Sequence, residues 1–145
     1  IIIEEPETIK QIASHSQQNW INESNLLIIV CSDDTHLENT YGERGRIYSR
    51  QQAGAAIQTV LLKLTELGID SCWVGEYTDE LIKQLLKIPQ HIQIEAIIPT
   101  GYEKPPILKK PKKKDLDGIL NWEKWNNKKR PPFFKEQRRD PPQYT

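Results

Sequence analysis

Methionine is missing from all 145 residues. A translated chain starts with one, so the sequence is expected to begin inside a longer protein whose N-terminal portion is not included. No apolar run approaches the roughly 18 residues that a membrane span needs, and the opening I-I-I-E-E-P has neither the basic nor the long apolar region of a signal peptide. A soluble chain with no membrane partner is expected. Cysteine is scarce: Cys31 and Cys72 stand at no metal-ligand spacing, so the expectation is two free, buried thiols in a reducing, cytoplasmic compartment rather than a disulfide. His15, His36 and His91 are scattered along the chain, so neither a metal site nor a catalytic histidine is expected. There is no internal repeat.

Net charge is zero only as a sum. Residues 1–103 carry 7 Lys/Arg against 15 Asp/Glu, residues 104–145 carry 13 against 5, and seven of the ten prolines fall in the later segment. Two compositions imply two roles: an acidic packed body, then a basic arm that proline keeps out of long helices and central strands.

Periodicity supplies the elements of the body. Residues 6–16 read as a short helix with Pro6 in its first turn and Ile9 and Ile12 on one face, followed by a polar turn that Trp20 closes. The run N-L-L-I-I-V-C-S at 25–32 is apolar nearly throughout and reads as a core strand covered on both faces. Residues 33–50 are polar, and the glycines of Y-G-E-R-G-R predict a loop. A long helix follows from about 49 to 67, with Ala53, Ala56, Ile57, Val60, Leu61, Leu64 and Leu67 on its apolar face and the small residues A-G-A-A opening it for close packing. Thr78, then Asp79 and Glu80, start another helix with Leu81, Leu85 and Leu86 inward, and Pro89 stops it. Residues 92–100 read as a strand entering the core from an edge. Helices and strands alternate, so the class is α+β or α/β.

Between the long helix and the next lies G-I-D-S-C-W-V-G-E, residues 68–76. Gly68 ends the helix and a short β-prone run at 69–75 follows, with a second glycine at its far end. Such a run sets backbone N–H groups beside a flat surface with little side-chain cover, a place for a planar ligand. Cys72 reads as a small buried hydrophobe rather than a nucleophile. Trp73 is either a core aromatic or a wall beside the ligand. In the arm, Leu116, Ile119, Leu120, Trp122 and Trp125 are expected to bury against this body or a partner's, and Phe133 and Phe134 to dock.

In order, Y-G-E-R-G, A-G-A-A-I-Q-T-V-L-L-K-L-T-E-L-G-I-D-S-C-W-V-G-E, L-L-K-I-P-Q-H, I-I-P-T-G-Y-E-K-P and K-K-P-K-K-K-D-L-D-G-I-L resemble the nitroreductase family of flavoproteins. The likeness runs over about residues 1–125, roughly the C-terminal two-thirds of a family member. It implies an α+β fold with a small, mostly antiparallel sheet flanked by helices and an extended C-terminal arm. The implied domain is 1–121, and 122–145 is a basic, Pro-rich arm, partly disordered or wrapped on a partner subunit. A homodimer with FMN at the subunit interface is implied, passing hydride from NAD(P)H through flavin N5 to a small acceptor such as a nitroaromatic or quinone, with no general acid or base among the side chains. Carried over by position, Trp73, Val74, Gly75 and Glu76 lie against the isoalloxazine, and Lys113 with its neighbour Lys112 holds the FMN phosphate. The family's Arg-Ser-x-Arg and Pro-Ser-x-x-Asn regions have no counterpart here, and Gln52 stands where many relatives place an acidic residue.

Two rival readings follow from the same residues. Without the absent regions the chain would serve as a flavin-free dimeric scaffold. The run Lys109-Lys110-Pro111-Lys112-Lys113-Lys114, with Trp122, Trp125, Phe133 and Phe134, resembles a polyanion-binding module; the acidic body opposes it, so no nucleic-acid partner is expected.

Overall fold

The computed structural model describes residues 1–102 and 112–131. The chain forms two compact units, Ile1–Pro105 and Pro106–Thr145. In the first, β1 (Ile2–Ile3), α1 (Pro6–His15), a 3-10 turn (Asn19–Glu23), β2 (Leu26–Asp33), α2 (Thr35–Tyr41), α3 (Glu43–Glu66), β3 (Asp70–Ser71), α4 (Asp79–Leu86) and β4 (Ile92–Gly101) follow in order. They build one sheet in the order β1-β2-β4-β3, every pairing antiparallel. The architecture is therefore α+β, as the sequence implied.

Alternation along β2 and β4 sends side chains to two cores. On one face Leu27, Ile29, Ile94 and Ile97 pack with Ile9 and Ile12 of α1, Ile21, and Ile82 of α4. On the other, Ile28, Val30, Ala96 and Ile98 meet Ile57, Val60, Leu61 and Leu64 of α3. Helices on both faces explain why L-L-I-I-V carries no polar alternation; each fully buried Leu or Ile contributes about 1.5–3 kcal/mol. Being central, β4 does not enter from an edge as expected: it lies between β2 and β3. A bulge between Val30 and Cys31 pairs Ala96 and Ile94 with successive β2 residues and leaves Glu95 as the extra one.

The polar stretch expected to be a loop is a helical corner. Gly42, at φ +61 and ψ −144, joins α2 to α3 in a conformation that only glycine adopts readily. One turn later, a Cβ on Gly45 would lie 2.2 Å from the Leu37 carbonyl oxygen, so glycine there lets α2 and α3 touch backbone to backbone. The long helix consequently starts at Glu43 rather than near 49. Its inward face is narrow, with Gly45, Ser49 and Ile57 buried.

Three smaller expectations change. Lys87 in the left-handed region (φ 56) ends α4 before Pro89 is reached. Ile82, with Leu85 and Leu86, forms the inward face of α4, while Leu81 is exposed. The 69–75 strand is broken into β3 and a single bridge at Val74. Continuing the β3–β4 register sets Cys72 opposite Pro99, which has no N–H to give; the Cys72 N–H reaches the Pro99 carbonyl at 3.3 Å, but the return bond cannot form.

In the second unit α5 (Leu116–Ile119) is closed by Lys128, whose Nζ donates to the Gly118 and Leu120 carbonyls at 2.9 Å each. The Arg130 guanidinium sits 5.9 Å from the Trp122 ring centre. Leu120 and Trp122 are half-buried, whereas Leu116, Ile119 and Trp125 are exposed rather than covered. Phe133, Phe134, Lys109 and Lys110 lie outside the described residues. Among the described residues, no helix is long and apolar enough to cross a membrane.

Candidate functional site

The segment from Cys72 to Glu76 forms the outer margin of the sheet beyond β4. Val74 is pinned: its N–H donates to the Ile97 carbonyl at 2.9 Å and its own carbonyl accepts from Ile97 at 3.0 Å, while its side chain is buried in the first core. In an extended chain alternate peptide groups point to opposite sides. With Cys72 and Val74 turned toward β4, the amides of Trp73 and Gly75 turn away from it, onto the open edge. Gly75 is exposed and nothing lies within 4 Å of where its side chain would begin, so the sheet face beside these amides is open.

Side chains alternate on the same rule. Val74 faces α1 and α4, and Trp73 therefore faces α3. There a Cβ on Gly54 would come within 3.6 Å of the indole, so the small-residue opening of α3 seats an aromatic ring. With 43% of its surface exposed, Trp73 is neither a core residue nor a free one; it walls one side of the edge. Glu76 is exposed, and Tyr77 turns back inward to donate its hydroxyl to the Ile94 carbonyl at 2.8 Å. Burial raises the Tyr77 pKa well above the ordinary phenol value. The Thr78 N–H bonds the His15 carbonyl at 2.9 Å and fixes the far end of the segment.

Cys72 is exposed and Cys31 half-buried, and both are free thiols, so neither is the buried hydrophobe expected. Burial raises the Cys31 thiol above its ordinary value. Among the described residues, no group of His, Cys, Asp and Glu could hold a metal ion.

Where α3, the end of β2 and the bulge of β4 meet lies a polar cluster that the sequence did not disclose. Arg50 of α3 places its fork on Asp34, Nη1 to Oδ1 at 3.0 Å and Nη2 to Oδ2 at 2.9 Å, and Nη1 also donates to Glu95. The Ser32 hydroxyl bonds both carboxylates. Burial pushes the Asp34 carboxyl up, but hydrogen bonds from Ser49 and Arg50, with the Arg50 charge, outweigh it and hold the group below its usual range.

Trp73, Val74, Gly75 and Glu76 are thus brought together on one edge. Lys112 and Lys113 are exposed in the other unit. The Nitroreductase family model matches residues 2–102. The chain belongs to the nitroreductase family. Among curated relatives of this nitroreductase-family chain, a protein of Methanothermobacter thermautotrophicus, provisionally named an NADH dehydrogenase/NAD(P)H nitroreductase, is 30% identical over 107 residues, 70% of this chain and 53% of the relative. The chain spans about half the length of that relative. Solved structures agree on the fold: an FMN-dependent nitroreductase from Clostridium difficile R20291 superposes with a TM-score of 0.68 at 19% identity, over 86% of this chain and 74% of that one. NfrA2 of B. megaterium does so with a TM-score of 0.76 at 18% identity, over 87% and 56%.

Proposed function

We propose that this chain is part of an FMN-dependent oxidoreductase that draws reducing equivalents from NADH or NADPH and passes them to a small organic acceptor such as a nitroaromatic or quinone, working as a homodimer. The observation that carries the reading is the bare amide edge at Trp73 and Gly75, whose N–H groups point away from β4 while Val74 between them is held by Ile97. Family membership supports it, as does the FMN dependence named for the Clostridium difficile neighbour.

FMN, when bound here, would supply the redox chemistry, the transfer of hydride between nicotinamide and acceptor. The protein's part is placement and charge. Trp73 and Gly75 have amides free to donate to the ring edge, while the Val74 N–H is already engaged by Ile97. Amide donation favours added negative charge on a ring without any side chain changing protonation. The Trp73 indole restricts the site on the α3 side and Glu76 sets the charge at its far end. Lys113, with Lys112, is the candidate for the phosphate; a lysine pairs as a point charge and lacks the bidentate fork of arginine.

Titration of the full chain with FMN tests this. Uptake giving a yellow protein, and anaerobic bleaching by NADH or NADPH, is the expected result. A colourless protein that takes up no FMN overturns it and favours the flavin-free dimeric scaffold.

A further inference from the structure

We infer that Arg50 is a positioning residue for the Trp73–Gly75 edge, although it touches no part of that edge. The inference deepens the flavin reading and rests on it only for the last of its tests. Arg50 lies on α3, four residues before Gly54, so the two share one helical face. One carries the ion-pair fork and the other seats the Trp73 indole.

The fork joins three elements at one point. Asp34 follows β2, Glu95 is the bulged residue of β4, and Arg50 belongs to the helix that packs across both strands. The bulge decides which β4 residues face which core from Glu95 onward. Ile97, two residues later, is the one that holds Val74 by both backbone bonds. Arg50 therefore fixes the edge by two routes: it sets the height of α3 under Trp73, and it locks the strand register from which Val74 hangs. The hydrophobic contacts on this side, Ile57 with Ala96 and Ile98, are non-directional and would tolerate sliding; the bidentate fork does not.

Hydrogen exchange on the full chain reads the effect. Arg50→Met is compared with Ile9→Val, which loosens the opposite core without touching α3. A separate set, with Trp20, Trp122 and Trp125 changed to phenylalanine, reports the Trp73 emission alone. In Arg50→Met, exchange at the Val74 and Ile97 amides should rise at least tenfold over that in Ile9→Val, and the folded Trp73 emission should shift to the red. Arg50→Lys, which keeps the charge but not the fork, should recover part of both. Should Arg50→Met fail to fold, Arg50→Lys and Glu95→Gln carry the same comparison.

Equal exchange in the Arg50 and Ile9 variants, with an unmoved Trp73 emission, would overturn the inference. FMN titration is the last arm, with weaker uptake by at least tenfold expected in Arg50→Met. If the wild-type chain takes up no FMN while exchange and emission change as expected, the positioning role stands and the flavin reading is what fails.

Discussion

Two glycines in this chain carry opposite consequences for the same added methyl group. At Gly45 a Cβ would overlap the Leu37 carbonyl, and backbone cannot step aside as a flexible side chain can. Gly45→Ala should therefore cost about 2–4 kcal/mol through forced separation of α2 and α3, seen as a lower urea midpoint. At Gly75 there is open space and no left-handed backbone, so Gly75→Ala should leave stability within about 0.5 kcal/mol. Its methyl group would nevertheless stand on the open face beside the Trp73 and Gly75 amides, and FMN affinity should fall about tenfold, or roughly 1.4 kcal/mol. Equal stability loss in both variants would contradict the packing described.

Asp34 gives the acid side of the stability profile. Its folded pKa lies below the unfolded value of about 4, so its contribution is complete above that value and is lost as pH falls through the folded one. Asp34→Asn should flatten the stability slope below about pH 4, measured by urea titration at stepped pH. At the alkaline end Cys31 works the other way: burial raises the thiol, so stability declines as pH rises from the ordinary thiol value toward the raised one. Because Arg50 keeps 42% of its side chain exposed, Arg50→Met should cost about 1–2 kcal/mol, less than the 3–5 of a fully buried pair.

Among the elements, those that announce themselves by local pattern were legible. α1 needs only Pro6 and the Ile9/Ile12 spacing, and β2 and β4 need only their apolar runs. What stayed hidden depends on residues far apart. Whether Y-G-E-R-G-R is loop or corner turns on the Gly45–Leu37 approach, which no periodicity encodes. The break in the 69–75 strand depends on Pro99, twenty-seven residues beyond Cys72 and visible only once the register is known. Likewise the motif pointed to residues 73–76, yet not to Arg50, whose partners are 16 and 45 positions away. Pro99→Ala tests the element directly: the restored N–H can meet the Cys72 carbonyl, and exchange at Cys72 and Val74 should slow as the β3–β4 pairing becomes continuous.

At the scale of the molecule, the apolar residues left outside are informative. Leu62 on α3 is 63% exposed and Ile47 nearly as much, on the helix that also seats Trp73. Singly such residues are unremarkable, but Ile47 and Leu62 fall within about 60° of each other around the helix axis, and exposed apolar residues on one side of a helix are normally covered by a partner. A homodimer that closes over α3 would cover them and bring a second chain to the Trp73–Gly75 edge, so assembly and FMN binding should be coupled. The expected mass in solution is about 34 kDa, twice the 16.9 kDa of one chain. Leu62→Glu lies away from the open amides and points to solvent, so it should not disturb folding; it should halve the mass by sedimentation equilibrium and lower FMN uptake in the same variant. Were the monomeric variant to bind FMN as the wild type does, one chain would suffice for the site, and the apolar face of α3 would need a separate explanation.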